Sequence, residues 1–98
     1  MYVILTSRDG QYRTELADGL HAWEAYDYLF YGQKKVRFVI ASLEREVKIR
    51  VIEENPPWSV NDISSRFLEK FETLDAARAR LNELASFGGL DTQLHKLA

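Results

Sequence analysis

Between Tyr26 and Ile52 apolar and polar residues alternate with a period of two, and this pattern constrains the fold more than any other feature of the chain. Tyr26, Tyr28 and Phe30 alternate, then Val36, Phe38 and Ile40, then Val47, Ile49 and Val51. Successive side chains of a strand point to opposite faces, so a one-residue slip would carry every apolar side chain to the wrong side. Gly32 with Gln33-Lys34-Lys35 forms the expected first turn, and Leu43-Glu44-Arg45-Glu46 the second. A continuous apolar face then pairs Phe30 with Val36, Tyr28 with Phe38 and Tyr26 with Ile40. On the next strand Val36 meets Val51, Phe38 meets Ile49 and Ile40 meets Val47. The expectation is a three-stranded antiparallel meander.

The flanking segments add to that sheet. Tyr2-Val3-Ile4-Leu5 is an apolar strand buried on both faces, Ser7-Arg8-Asp9-Gly10 a turn, and Gln11 to Leu16 an alternating return strand. Residues 18–25 read as a loop, with a short helical turn capped by Asp18 as the rival. Pro56-Pro57 removes two backbone donors and breaks the sheet, leaving Trp58 as the expected anchor of a loop. Arg66 to Glu72 reads as a strand. Thr73 then caps a helix whose first turn carries Asp75 and whose apolar stripe is Leu74, Ala77, Leu81 and Leu84. Phe87-Gly88-Gly89 is the stop signal, and Leu90, Gln93-Leu94 and Leu97 suit a terminal strand. The rival for residues 59–87 is one continuous helix. The expected fold is one α+β domain over residues 1–98: a mostly antiparallel sheet of five to six strands with one main helix packed on one face.

Several function classes lose their support at this stage. A chain of 98 residues with 46% hydrophobic content can build one core. The net charge of −2 supplies no general field for nucleic acid or an anionic membrane. Without cysteine there is no disulfide, thiolate ligand or cysteine nucleophile, which favours a reducing cytoplasmic setting. Met1 to Leu5 lacks the basic start of a signal peptide, and no apolar run approaches the ~20 residues of a membrane-spanning helix. Ser7, Ser42, Ser59, Ser64, Ser65 and Ser86 lie in no nucleophile elbow and beside no histidine. Gly88-Gly89 follows a helix, whereas a phosphate-cradling loop opens one. His21 with Glu24 and Asp27 forms the one constellation that resembles a metal or acid–base site, but paired histidine spacing is missing and His95 is remote. No cofactor is expected, and an enzyme is disfavoured.

The second face of the meander is a mixture. Leu29, Tyr31, Lys35, Arg37, Val39, Lys48 and Arg50 interleave apolar and basic side chains, where a solvated face would be polar throughout. A partner protein or a second copy would cover it, or the terminal hairpin or the Pro56-Pro57-Trp58 loop would fold back over it. Single-stranded nucleic acid is the further alternative, with Tyr31 stacking on bases and Arg37, Lys48 and Arg50 meeting phosphates. The leading expectation is a non-catalytic interaction or accessory module, using those seven residues to bind a protein partner. A ligand-binding pocket or small active site near His21, Glu24, Tyr28 and Trp58 is the remaining expectation.

Overall fold

The computed structural model describes residues 1–85 and 92–97. Within them lie β1 (Tyr2–Arg8), β2 (Tyr12–Glu15), β3 (Leu20–Phe30), β4 (Gln33–Leu43), β5 (Lys48–Glu53), β6 (Val60–Ser64), α1 (Leu74–Ala85) and β7 (Thr92–Lys96). The seven strands form one antiparallel sheet in the order β6-β5-β2-β1-β4-β3-β7.

The β3–β4 hairpin follows from its turn. Phe30 faces Gln33, which leaves a two-residue loop of Tyr31 and Gly32, with φ of +50° and +78°. Positive φ at both positions gives the turn whose twist matches that of paired strands. The expected turn through Lys35 is therefore too long. Tyr28 faces Val36 and Tyr26 faces Phe38, two residues away from the expected register. A slip of two keeps the apolar face intact, so the side-chain pattern survives although the partners change.

The meander does not extend to a third strand. Both edges of β4 are taken, one by β3 and the other by β1, where Ile4 faces Ile40 and Thr6 faces Phe38. β5 instead pairs with β2 and β6. Glu44 N–H donates to the Gly19 carbonyl and Val47 N–H to Ser65 Oγ, which directs the connection away from β4. β1 and β2 meet through the pair Arg8 and Tyr12 and then separate. Beyond that point Thr14 bridges the gap, its N–H donating to Ser7 Oγ and its hydroxyl to the Thr6 carbonyl.

This separation gives the sheet two cores. On one face Val36, Phe38 and Ile40 pack with Ala77 and Leu81 of α1 and with Tyr26, Tyr28 and Leu94. On the other, Val3, Leu5, Leu20 and Ala41 pack with Ile49 of β5, supported by Val39, Val47 and Leu68. β1 is covered on both faces, as its unbroken apolar run requires. An irregularity at Trp23 moves β3 between the two cores: Ala22 faces Ala41 but Glu24 faces Ile40. One extra residue reverses the alternation, so Leu20 joins the far core while Tyr26 and Tyr28 lie beneath the helix.

Thr73 caps α1 as expected, its hydroxyl accepting from the Ala76 N–H at 3.0 Å. Leu74, Ala77 and Leu81 face the sheet, but Leu84 is exposed and Ala85 takes the inner position. Residues 20–25, expected as loop, belong to β3. Residues 59–72 form neither the expected strand from Arg66 nor a continuous helix: β6 ends at Ser64 and a single 3-10 turn spans Ser65–Phe67. The stop signal at residues 87–89 and Leu90 lie outside the described residues. Trp58 is 61% exposed and so is not the expected anchor of the loop; its backbone is left-handed, with φ of +57°, and its N–H donates to the Asn55 carbonyl.

Candidate functional site

The constellation of His21, Glu24 and Asp27 is dispersed. Glu24 points beneath the helix and Asp27 toward the opposite face, as odd spacing on a strand dictates. His21 Nε2 lies 3.0 Å from Glu44, and Asp27 accepts from Arg37 Nε at 2.9 Å. Among the described residues no group of three or more His, Asp or Glu side chains is placed to hold a metal ion.

Glu24 is the one deeply buried carboxylate among the described residues, and it is fully engaged. Arg78 of α1 donates from Nε to Oε1 at 2.8 Å and from Nη2 to Oε2 at 2.6 Å. The Tyr26 hydroxyl donates to Oε1 at 2.8 Å, and Lys96 Nζ of β7 lies 3.0 Å from Oε2. The Arg78 hydrogen bonds, helped by Tyr26 and Lys96, hold this carboxyl well below the usual carboxylate range despite its burial. Burial, and then the hydrogen bond to Glu24, push the Tyr26 phenol up. A carboxylate with every acceptor position satisfied is a poor proton carrier and a good fastener. It ties the helix and β7 to β3.

The mixed face divides between the two halves of the sheet. Leu29, Arg37 and Val39 lie on the face of β3 and β4 opposite the helix, with Val39 packed against the far core. Arg37 is paired with Asp27, which also lies 3.9 Å from Lys34. Lys48 and Arg50 lie on β5, with β2 and β1 between them and β4. Arg50 lies 3.7 Å from Asp62, the residue facing it on β6. Tyr31 occupies the hairpin turn, its ring edge-on to Phe30 at 4.6 Å. Lys35 lines an open cleft of about 510 Å³ with Arg8, Tyr28 and Phe30. The seven residues are thus distributed over the β3–β4 hairpin and β5, which lie two strands apart in the sheet. Tyr28 of the expected pocket lines that cleft, and its lining includes none of His21, Glu24 and Trp58.

A different location gathers four exposed apolar side chains. Trp58 is 61% exposed, Val60 55%, Ile63 40% and Phe67 79%, all within or beside β6. Among the described residues β6 pairs with β5 alone, which makes it an outer strand of the sheet. Its hydrogen bonds establish which groups face outward. Glu53 N–H donates to the Ser59 carbonyl and Ser65 N–H to the Val47 carbonyl, so these are hydrogen-bonded pairs. Such pairs alternate with non-bonded ones in an antiparallel ladder. Asn61 and Ile63 thus direct their backbone groups to β5, whereas Val60, Asp62 and Ser64 direct theirs to the open edge.

An apolar groove of about 300 Å³ runs beside this strand, where β1 and β2 have separated. Leu5, Tyr12, Ile49, Val51, Ile63 and Leu68 line it. The other outer strand, β7, presents Gln93, His95 and Lys96, all exposed and polar. Charged or polar side chains on a short strand discourage pairing with other chains. β7 has that protection, and β6 has Asp62 at its centre.

No protein-family model, no curated protein and no solved structure matches this chain. No helix among the described residues is long and apolar enough to cross a membrane.

Proposed function

We propose that this protein is a non-catalytic interaction module that receives an extended segment of a protein partner along the outer edge of β6. The observation that carries the reading is the coincidence of edge groups at Val60, Asp62 and Ser64 that have no strand partner among the described residues with the exposed side chains of Trp58, Val60, Ile63 and Phe67. Strand addition of this kind draws affinity from main-chain hydrogen bonds and selectivity from alternate side chains. The groove behind Ile63 would accept those of one parity. The edge is favoured here over the surface expected on Leu29, Tyr31, Lys35, Arg37, Val39, Lys48 and Arg50, of which the first five lie on the β3–β4 hairpin and the last two on β5, with β1 and β2 between.

Val60→Pro tests the reading. The substitution removes a backbone N–H directed at the open edge and leaves the β5 ladder intact, and proline is tolerated at the start of an edge strand. Tagged wild-type protein should retain a partner from its native extract that Val60→Pro loses, while His95→Ala on the opposite edge keeps it. Equal retention by wild type and Val60→Pro would refute strand addition at this edge.

A further inference from the structure

We infer that the strand received by β6 is a heterologous segment carrying a basic residue opposite Asp62, and that Asp62 prevents β6 from pairing with its own copy. The inference rests on the strand-addition reading above and specifies the partner's chemistry. Val60, Asp62 and Ser64 direct backbone groups outward. The two-fold antiparallel register that uses all three sets Val60 against Ser64 of a second copy, and Asp62 against its own equivalent. Two carboxylates then face each other at the centre of the ladder. Like charges directly across a strand pair destabilise it, and charge on an edge strand is a recognised protection against self-pairing. Asp62 lies 3.7 Å from Arg50 on the β5 side and lines an open cleft with Arg50, Lys48 and Glu15, and the Asp62 and Arg50 side chains are both well exposed. That contact leaves the carboxylate open toward the edge.

The same carboxylate attracts a foreign strand with lysine or arginine at the facing position. Residues one step to either side of that position would lie on the face of Asn61 and Ile63; the one beside Ile63 borders the apolar groove, and its counterpart beside Asn61 borders the adjoining cleft of Tyr12, Val51 and Pro56, so apolar side chains suit both. The favoured occupant is therefore an extended segment with apolar, basic and apolar residues in succession. A second copy of this chain presents Asn61-Asp62-Ile63 there, which fails at the central position.

Two short capped peptides test this, each alternating Val and Thr about a central residue, Lys in one and Glu in the other. Fluorescence anisotropy of the labelled peptides against the full chain should show the Lys peptide binding about three-fold more tightly at low salt, the size expected of one cross-strand charge pair. Asp62→Lys should reverse the preference. Equal binding of both peptides would overturn the charge inference while leaving strand addition standing. Binding of neither would overturn strand addition itself. Sedimentation supplies the remaining arm. The wild type should be monomeric, and a wild-type dimer dissociated by Val60→Pro would make a second copy the occupant and overturn the inference.

Discussion

Replacing Glu24 with glutamine is the sharpest test of how this fold is fastened. The substitution keeps the shape of the side chain and removes its charge, and it places an amide donor against a site already supplied with donors by Arg78, Tyr26 and Lys96. Breaking a buried ion pair costs about 3–5 kcal/mol when the remaining charge stays buried. Here the cations can return to water, since the Arg78 and Lys96 side chains are 41% and 58% exposed. The loss should therefore lie nearer that of hydrogen bonds to a charged group, about 2 kcal/mol. For a chain of this size that lowers Tm by roughly 10 °C at neutral pH.

The pH dependence separates this explanation from a packing defect. The folded-state pKa of Glu24 is depressed, so its stabilisation is complete above the unfolded-state value and is lost as pH falls through the interval below it. The other carboxylates titrate in both proteins and cancel in the difference. The gap in stability between wild type and Glu24→Gln should hold steady from neutral pH to about pH 5, then close at up to about 1.4 kcal/mol per pH unit below about pH 4.3. Denaturant unfolding monitored by circular dichroism at pH 7, 5, 4 and 3 measures it. A gap at pH 3 equal to that at pH 7 would refute the electrostatic account, as would a variant as stable as wild type throughout.

Other substitutions test the local arguments. Leu81→Ala removes a side chain 1% exposed between helix and sheet and should cost about 2–5 kcal/mol in denaturant unfolding, the range for a core truncation that leaves a cavity. Thr73→Ala removes the acceptor for the Ala76 N–H and should cost about 1 kcal/mol, which Thr73→Ser should largely restore. Gly32→Ala places a side chain at φ +78° in open space and should cost about 1 kcal/mol from the backbone alone. Gly19→Ala should cost more in the same assay, because at φ +95° its Cβ would also approach Val47 Cγ1 to 2.9 Å.

What could be read from the sequence divides along physical lines. Local signals were legible: the period of two in β3 and β4, the Thr73 cap, and the stripe of Leu74, Ala77 and Leu81 all depend on residues within one turn or one hairpin. Partnerships over distance were not. The alternation of Val47, Ile49 and Val51 shows that β5 has a buried side, but equally well suits β4 or β2 as a neighbour. The choice is made by β1, which occupies the β4 edge. The shift at Trp23 is equally hidden, since one added residue leaves no mark in composition yet moves Glu24 under the helix. Its clamp joins Glu24 to Arg78, 54 positions away. β6 was missed because all but one of its residues are exposed, which erases the alternation that marks a half-buried strand.

The arrangement of the two cores also explains why an edge, and not a face, is the surface left for a partner. A sheet in a small chain ordinarily buries one side and leaves the other to solvent or to binding. Here α1 covers part of one side, and Ile49 of β5, with Val47 and Leu68, covers part of the other. The remainder of that second side is occupied by the paired charges of Asp27, Lys34 and Arg37, whose desolvation would oppose a docking partner. At β6 the exposed apolar side chains of Trp58, Val60, Ile63 and Phe67 coincide with backbone groups that have no strand partner among the described residues. The separation of β1 from β2 thus has two consequences. It completes the far core with Ile49, and it opens the groove that runs behind Ile63 to the exposed edge.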